Sequence, residues 1–220
     1  MKRKTLIITA IALVLGIAIG AIGFYAAVGL SGKTIVSQTI VTNEGETGGK
    51  SQSTNQAGLI ELAVRAARFI KTHDFSSLSE MVHPTFGVYF CPGATVNLRN
   101  NKVFTSYEVS NFRDDTASYV WGVAQDTGVP IEMTAEEYFA RYVYDRDYSN
   151  APIIGVNYTA RTGNSLENLS EAFPNAQFVD LCFPGTEEND YTDWKLLRIC
   201  FEEYEGMLRL TAVIHSEYTV

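Results

Sequence analysis

Few side chains in this sequence could run a reaction: His73, His83 and His215, and the thiols of Cys91, Cys182 and Cys200. His215 is the candidate general base. In an extended segment Met207, Arg209, Thr211, Val213, His215 and Glu217 share one face, while Leu208, Leu210, Ala212, Ile214, Tyr218 and Val220 form the other. The second set reads as the core face and leaves His215 on the more polar side, toward solvent or a pocket. A base also needs an orienting carboxylate and a substrate cavity, and Asp180 or Glu202 on adjacent strands could supply the carboxylate. His83 is the second catalytic candidate. It precedes Pro84 at a helix end, where a cationic side chain suits the local dipole, so a structural role is its simpler reading.

Other chemistry is poorly supplied. No His-x-x-x-His or His-Cys spacing offers a metal set, and neither a metal nor a cofactor is expected. Cys182 and Cys200 fall on neighbouring strands, but a directly cross-strand bridge is geometrically demanding. Their Phe, Leu and Ile neighbours favour buried free thiols. Cys91 has no histidine beside it in sequence, which weakens a nucleophilic role. Residues 27–34, AVGLSGKT, fit P-loop spacing if Ala27 replaces the first glycine. A working P-loop needs a strand before it and a helix after it. Here an apolar run precedes and a polar stretch follows, so the match is read as coincidence.

That apolar run sets the expected organisation. Lys2, Arg3 and Lys4 precede an uncharged stretch from Thr5 to Leu30. As a helix it would be about 39 Å long, enough for the ~30 Å hydrocarbon core of a bilayer. Residues 1–30 are therefore expected to be a membrane anchor, with residues 5–30 as a single-pass transmembrane helix. The positive-inside tendency keeps the N-terminus cytoplasmic and sends the remainder out of the cytoplasm. Cleavage after Ala27-Val28-Gly29 would instead release a secreted protein. Ala12, Gly16, Gly20, Gly23 and Ala27 place small residues on one helical stripe, which could pack against a second copy or a partner helix.

Residues 31–56 are rich in Ser, Thr, Gly, Asn and Gln, and read as a flexible linker. Residues 57–220 are long enough for one core. The whole chain carries a formal charge of −8, and its three basic residues before position 31 leave 14 basic against 25 acidic beyond. An exterior of that sign repels polyanions, so nucleic acid is not expected as a partner.

The elements that would position the candidates follow from periodicity. Leu59, Leu62, Ala63, Ala66, Ala67, Phe69 and Ile70 recur at helical spacing, and Asp74 caps a shorter helix over FSSLSEMV. FGVYFCP and the segment around Lys102–Thr105 read as strands, and SYEVSNF as one or two helical turns. ASYVWGVAQDTGVPIEM reads as a hairpin. Thr134 with Glu137, and Asn164 with Glu167, form capping-box patterns ahead of AEEYFARYVYD and SLENLSEAF. IIGVNY reads as a strand. AQFVDLCF, DWKLLRICFEEYE and MLRLTAVIHSEYTV then make a C-terminal β-meander with its last turn at Glu205-Gly206. The class is α+β, with a helical hairpin packed on a curved antiparallel sheet. The cone of nuclear-transport-factor-2-like (NTF2-like) proteins accommodates this order.

PIEMTAEEYFARYVYDRDYSNAPIIGVN, GNSLENLSEAFPNAQFVD and DWKLLRICFEEYEG followed by VIHSEYTV resemble a domain of exported, often lipoprotein-type, bacterial surface proteins. The resemblance covers most of residues 75–220 and implies an exported bacterial protein with no assigned activity. Met207-Leu208 stand where that domain usually has two aromatics, and Tyr218 where it often has Trp, which weakens an aromatic-lined site there. The function expected from all this is a membrane-tethered extracytoplasmic module that binds a small ligand or an envelope protein without catalysis. Two alternatives stand beside it: a small NTF2-like hydrolase or isomerase using His215, and a membrane-helix partner protein.

Overall fold

The computed structural model describes residues 22–24, 38–42, 51–124 and 127–219. It is a mixed α+β structure built on one large, mostly antiparallel sheet. In chain order the elements are β1 (Ile22–Phe24), β2 (Thr39–Thr42), α1 (Ser51–Lys71), α2 (Phe75–Met81), β3 (Val88–Cys91), β4 (Lys102–Phe104) and α3 (Ser106–Ser110). They continue with β5 (Ser118–Val123), β6 (Pro130–Thr134), α4 (Ala135–Tyr138), β7 (Ile153–Val156), α5 (Leu169–Ala172), β8 (Gln177–Phe183), β9 (Lys195–Tyr204) and β10 (Met207–Glu217). The sheet order is β1-β2-β7-β8-β9-β10-β3-β4, with β5 and β6 as a separate hairpin. Two junctions are parallel, β2 with β7 and β3 with β10; the others are antiparallel.

Local chemistry accounts for these elements. The carboxylate of Asp74 accepts from the Ser77 amide and starts α2. Thr134 and Glu137 complete a capping box at α4, and Thr105 with Glu108 complete a second at α3. Tyr204 pairs directly with Met207, so β9 and β10 are joined by a two-residue turn in which Glu205 and Gly206 both have positive φ. Such turns match the twist of the strands they join.

One face of the sheet packs against α1, α2, α3 and the β5–β6 hairpin. Leu59, Ala63, Ala66, Ala67 and Ile70 form the buried stripe of α1, as helical spacing predicts. Beside them Phe90, Phe104, Phe112, Trp121, Tyr138 and Phe139 make a continuous aromatic cluster, with Trp121 stacked on Tyr138 at 3.8 Å between ring centroids. The opposite face is covered by the segment between β7 and β8 and by Trp194, over smaller clusters around Cys200 and Leu196. Both faces of the central strands are therefore buried.

Four sequence expectations change. First, the linker boundary moves. Thr39–Thr42 pairs with both β1 and β7, and α1 begins at Ser51, both inside the stretch expected to be a linker. The alternating Thr-Ile-Val-Thr is an adequate strand once the open edge of β7 offers it partners. Second, Gly23, placed on the helical stripe, lies in β1 opposite Ile40. The other stripe residues, Ala12, Gly16, Gly20 and Ala27, and the rest of the expected anchor lie outside the described residues. Among the described residues no helix is long and apolar enough to cross a membrane.

Third, Asn164 and Glu167 do not cap a helix. α5 spans only Leu169–Ala172, the Asn164 amide bonds the Thr219 carbonyl, and Glu167 accepts from Arg198. Fourth, the core face of β10 is not continuous. Leu210 pairs with Phe201 and Ala212 with Cys200, so Thr211 is a β-bulge. The extra residue reverses the alternation. Leu210 and Val213 face the main core, while Ala212 and Ile214 face the opposite cluster. His215 is thereby carried onto the main core face.

Candidate functional site

His215 is buried, with 1% of its surface exposed. Tyr142 covers it edge-on, with ring centroids 5.7 Å apart. Tyr142 reaches that position because α4 runs into a single π-helical turn, Phe139–Val143, closed by the Tyr144 amide on the Phe139 carbonyl. The wider turn turns Arg141 and Tyr142 toward the end of β10, where Arg141 bonds Glu217 at 2.6 Å. π-turns of this kind often occur where side chains must be redirected.

The chain then brings Asp145 to His215, with Oδ2 3.5 Å from Nε2. At that separation the contact is electrostatic rather than a formed hydrogen bond, and both ring nitrogens are enclosed without a hydrogen-bond partner. Lys195 completes the cluster. Its ammonium lies 3.3 Å from Asp145 Oδ2 and directly against Glu217 Oε2. Tyr148 donates to the other oxygen of Asp145 at 2.8 Å.

Burial pushes the His215 pKa down, against the pull of Asp145. Burial acts the other way on Asp145, but His215, Tyr148 and Lys195 outweigh it and hold the carboxyl below the ordinary range. Asp145, His215 and Glu217 place one donor atom each within 4.8 Å of one another, a spacing a cation could use. The Lys195 ammonium already lies against both carboxylates, and with Arg141 it balances their charge. A cavity of about 580 Å³ lies beside this cluster, lined by Arg141, Tyr142, Ser216, Glu217 and Tyr218 among others, but His215 does not line it.

The carboxylates expected to orient His215 are elsewhere. Glu202 pairs across the strands with Arg209. Asp180 points to the opposite face, where Arg198 forks onto both its oxygens at 2.6 and 2.9 Å. The Ala160 amide adds a third bond to Asp180, and Glu167 and Thr159 take the remaining donors of Arg198 at 3.1 and 3.0 Å. Burial works against the Arg198 charge, but Asp180 and Glu167 more than restore it. This is a closed ion pair with no room for substrate.

His83 is structural in its contacts. Its Nδ1 accepts from the amides of Thr85 and Phe86, and its ring stacks on Phe86 at 4.3 Å. His73 is exposed at the end of α1, with positive φ. The three cysteines are free and buried. Cys182 pairs with Leu196, and Cys200 with Phe178, so the two do not face one another across the strands.

Sequence reasoning found His215 but missed Asp145, Lys195, Arg141 and Tyr142. The local signal was the charged run Tyr144-Asp145-Arg146-Asp147 directly after an aromatic helix. Its partner lies on the last strand, and no spacing links the two.

A second concavity, of about 690 Å³, opens between α1, α2 and the β9–β10 turn. Its α1 wall is the stripe Asn55, Gly58, Leu62, Arg65 and Phe69. Ser77, Glu80 and Met81 of α2 face that wall, and residues 206–209 close the end. Its lining combines the apolar side chains of Leu59, Leu62, Phe69, Met81, Met207 and Leu208 with a few charged groups, the form of a binding groove. No family model, curated relative or solved structure matches the chain.

Proposed function

We propose that this protein is a membrane-tethered extracytoplasmic module that binds a small ligand or an envelope protein and performs no reaction. The single observation that carries the non-catalytic part is the filled interior of the sheet. Trp121, Tyr138 and the phenylalanines around Phe90 occupy the space where an NTF2-like cone would keep a pocket, and His215 lies beneath Tyr142 out of reach of either cavity. The order of helices packed on a large, mostly antiparallel sheet is what supports a cone of that type.

The tether rests on Lys2, Arg3 and Lys4 followed by the uncharged run. Strand β1 takes residues 22–24 from that run. The 17 residues from 5 to 21 would rise about 26 Å as a helix, near the lower bound of about 17 residues for a span. A membrane-helix partnership rests on the same run alone.

One observation favours a second reading: Asp145 stands beside His215 as an orienting carboxylate would in a hydrolase or isomerase. That reading requires Tyr142 to swing aside and admit substrate.

Crosslinking in intact cells, followed by membrane fractionation, tests the first reading. The full chain is expected in the membrane fraction, cut by external protease, and attached to a partner or ligand whose yield is unchanged by His215→Gln. Loss of the attachment in His215→Gln with the fold intact, together with turnover of any recovered compound, would favour the enzyme.

A further inference from the structure

We infer that the groove between α1, α2 and the β9–β10 turn is a binding site for a small amphiphilic anion, with Arg65 and Arg209 holding a carboxylate or phosphate head and the apolar wall holding its body. This rests on the binding-module reading and names the ligand class for it.

The charge pattern comes first. Residues 31–220 are strongly acidic, yet this groove has two guanidinium groups in its lining, Arg65 from α1 and Arg209 from β10. Neither Arg65 nor Arg209 forms an ion pair among the described residues, although Glu80 lines the same groove and Glu202 stands opposite Arg209 in the ladder. Arg209 is also prepared for a ligand. One of its Nη atoms is fixed on the Glu80 carbonyl at 2.9 Å, which orients the guanidinium at the groove. A half-buried, oriented guanidinium suits a planar or tetrahedral anion.

The apolar part of the groove is equally specific. Leu62, Phe69 and Leu208 are only half-buried, and Met207 is 51% exposed. These side chains lie together around the groove instead of being scattered over the surface. A volume of about 690 Å³ lies within the range of roughly 300–1,000 Å³ typical of small-molecule sites. The body must therefore be short, of the order of a medium-chain acyl group or a pair of aromatic rings.

Gly58 supplies the test. It lies on the groove wall within α1, and a Cβ added there meets nothing within 4 Å. Gly58→Leu would fill the groove and improve helix propensity, so binding is lost while stability holds or rises.

The full chain in nanodiscs would be treated with diazirine-bearing octanoate and octyl phosphate, and with octanol as the neutral control, and labelled residues mapped by mass spectrometry. Both anions are expected to label Leu62, Met81, Met207 or Leu208. Competition with unlabelled octanoate should show at least a tenfold preference over octanol. Arg65→Ala and Arg209→Ala should each lower the labelling about tenfold, and Gly58→Leu should abolish it. Equal labelling by octanol, or anion labelling unchanged in Gly58→Leu, overturns the assignment. If no anion labels the groove while cell crosslinking still captures a partner, this site falls and the binding-module reading stands.

Discussion

Leu210 and His215 point to the same face of β10 although an odd number of positions separates them, because Thr211 bulges out between Leu210, opposite Phe201, and Ala212, opposite Cys200. That one extra residue decides the environment of the one histidine that, among the described residues, forms an ion contact with a carboxylate. A strand without the bulge would put Val213 and His215 with the smaller cluster and bring Ile214 to the main core.

Deleting Thr211 removes only the extra residue and leaves Ala212, Val213, Ile214 and His215 opposite the partners they already have, so it should cost far less than inserting an alanine between Val213 and Ile214, which turns Ile214 and His215 onto the wrong faces. Fully burying one aliphatic side chain is worth about 1.5–3 kcal/mol, and the insertion misplaces Ile214 together with His215, so a loss of about 3 kcal/mol or more is expected from it. Thr211→Val keeps the bulge and gives up only the hydroxyl bond to the Cys200 carbonyl, worth about 1 kcal/mol. Urea unfolding of the three variants checks the difference, and a deletion as costly as the insertion would refute a registering role for the bulge.

Bulges also mark the limit of what sequence reveals. The C-terminal meander, the α1 stripe, the Asp74 cap and the Thr134–Glu137 box were all legible, because each depends on residues a few positions apart. The phase of β10 was not, since a single inserted residue leaves no compositional trace and both faces of the strand are buried over most of its length. Asp145 was missed for a related reason: only the tertiary fold brings the end of a π-turn to the last strand. Asn164 and Glu167 show the converse error, a correct local pattern whose side chains found stronger partners in Thr219 and Arg198.

The Asp180–Arg198 pair should behave as a closed unit. Asp180→Asn leaves a buried guanidinium with Glu167 as its remaining carboxylate, and a loss of about 3 kcal/mol is expected. Replacing both members, Asp180→Leu with Arg198→Met, should recover most of that loss, because neither buried charge remains. A double-mutant cycle of Asp180→Leu, Arg198→Met and the two together, followed by denaturant unfolding, measures it. Additive losses would mean that the two side chains are not coupled.

All three thiols should be inert in the folded protein. Burial pushes each thiol pKa up, that of Cys182 to about 12, so almost no thiolate is present near neutral pH. A colorimetric disulfide reagent should find no reactive thiol in native buffer and three in strong denaturant. Rapid reaction of one thiol under native conditions would show an access route that burial does not provide.

Acid should weaken the fold in two stages, and His215 should own the first. Its pKa is lowered in the folded protein, so below the ordinary value of about 6.5 the unfolded chain binds a proton that the folded chain excludes. Stability tied to this ring is thus complete above about pH 6.5 and declines as pH falls toward the folded value. Asp145 is also lowered and acts with the same sign, but only below its ordinary value near 4. The groups facing the ring are Asp145, Glu217, Lys195, Arg141, Tyr142 and Tyr148, and none of their ordinary values lies between about pH 5 and 7. Melting temperature measured from about pH 7.5 to 5 should therefore fall in the native sequence and stay nearly level in His215→Gln, while both decline together below about pH 4. Parallel curves across the upper window would mean that some other group supplies the proton, and that His215 is already charged or already open to water in the folded state.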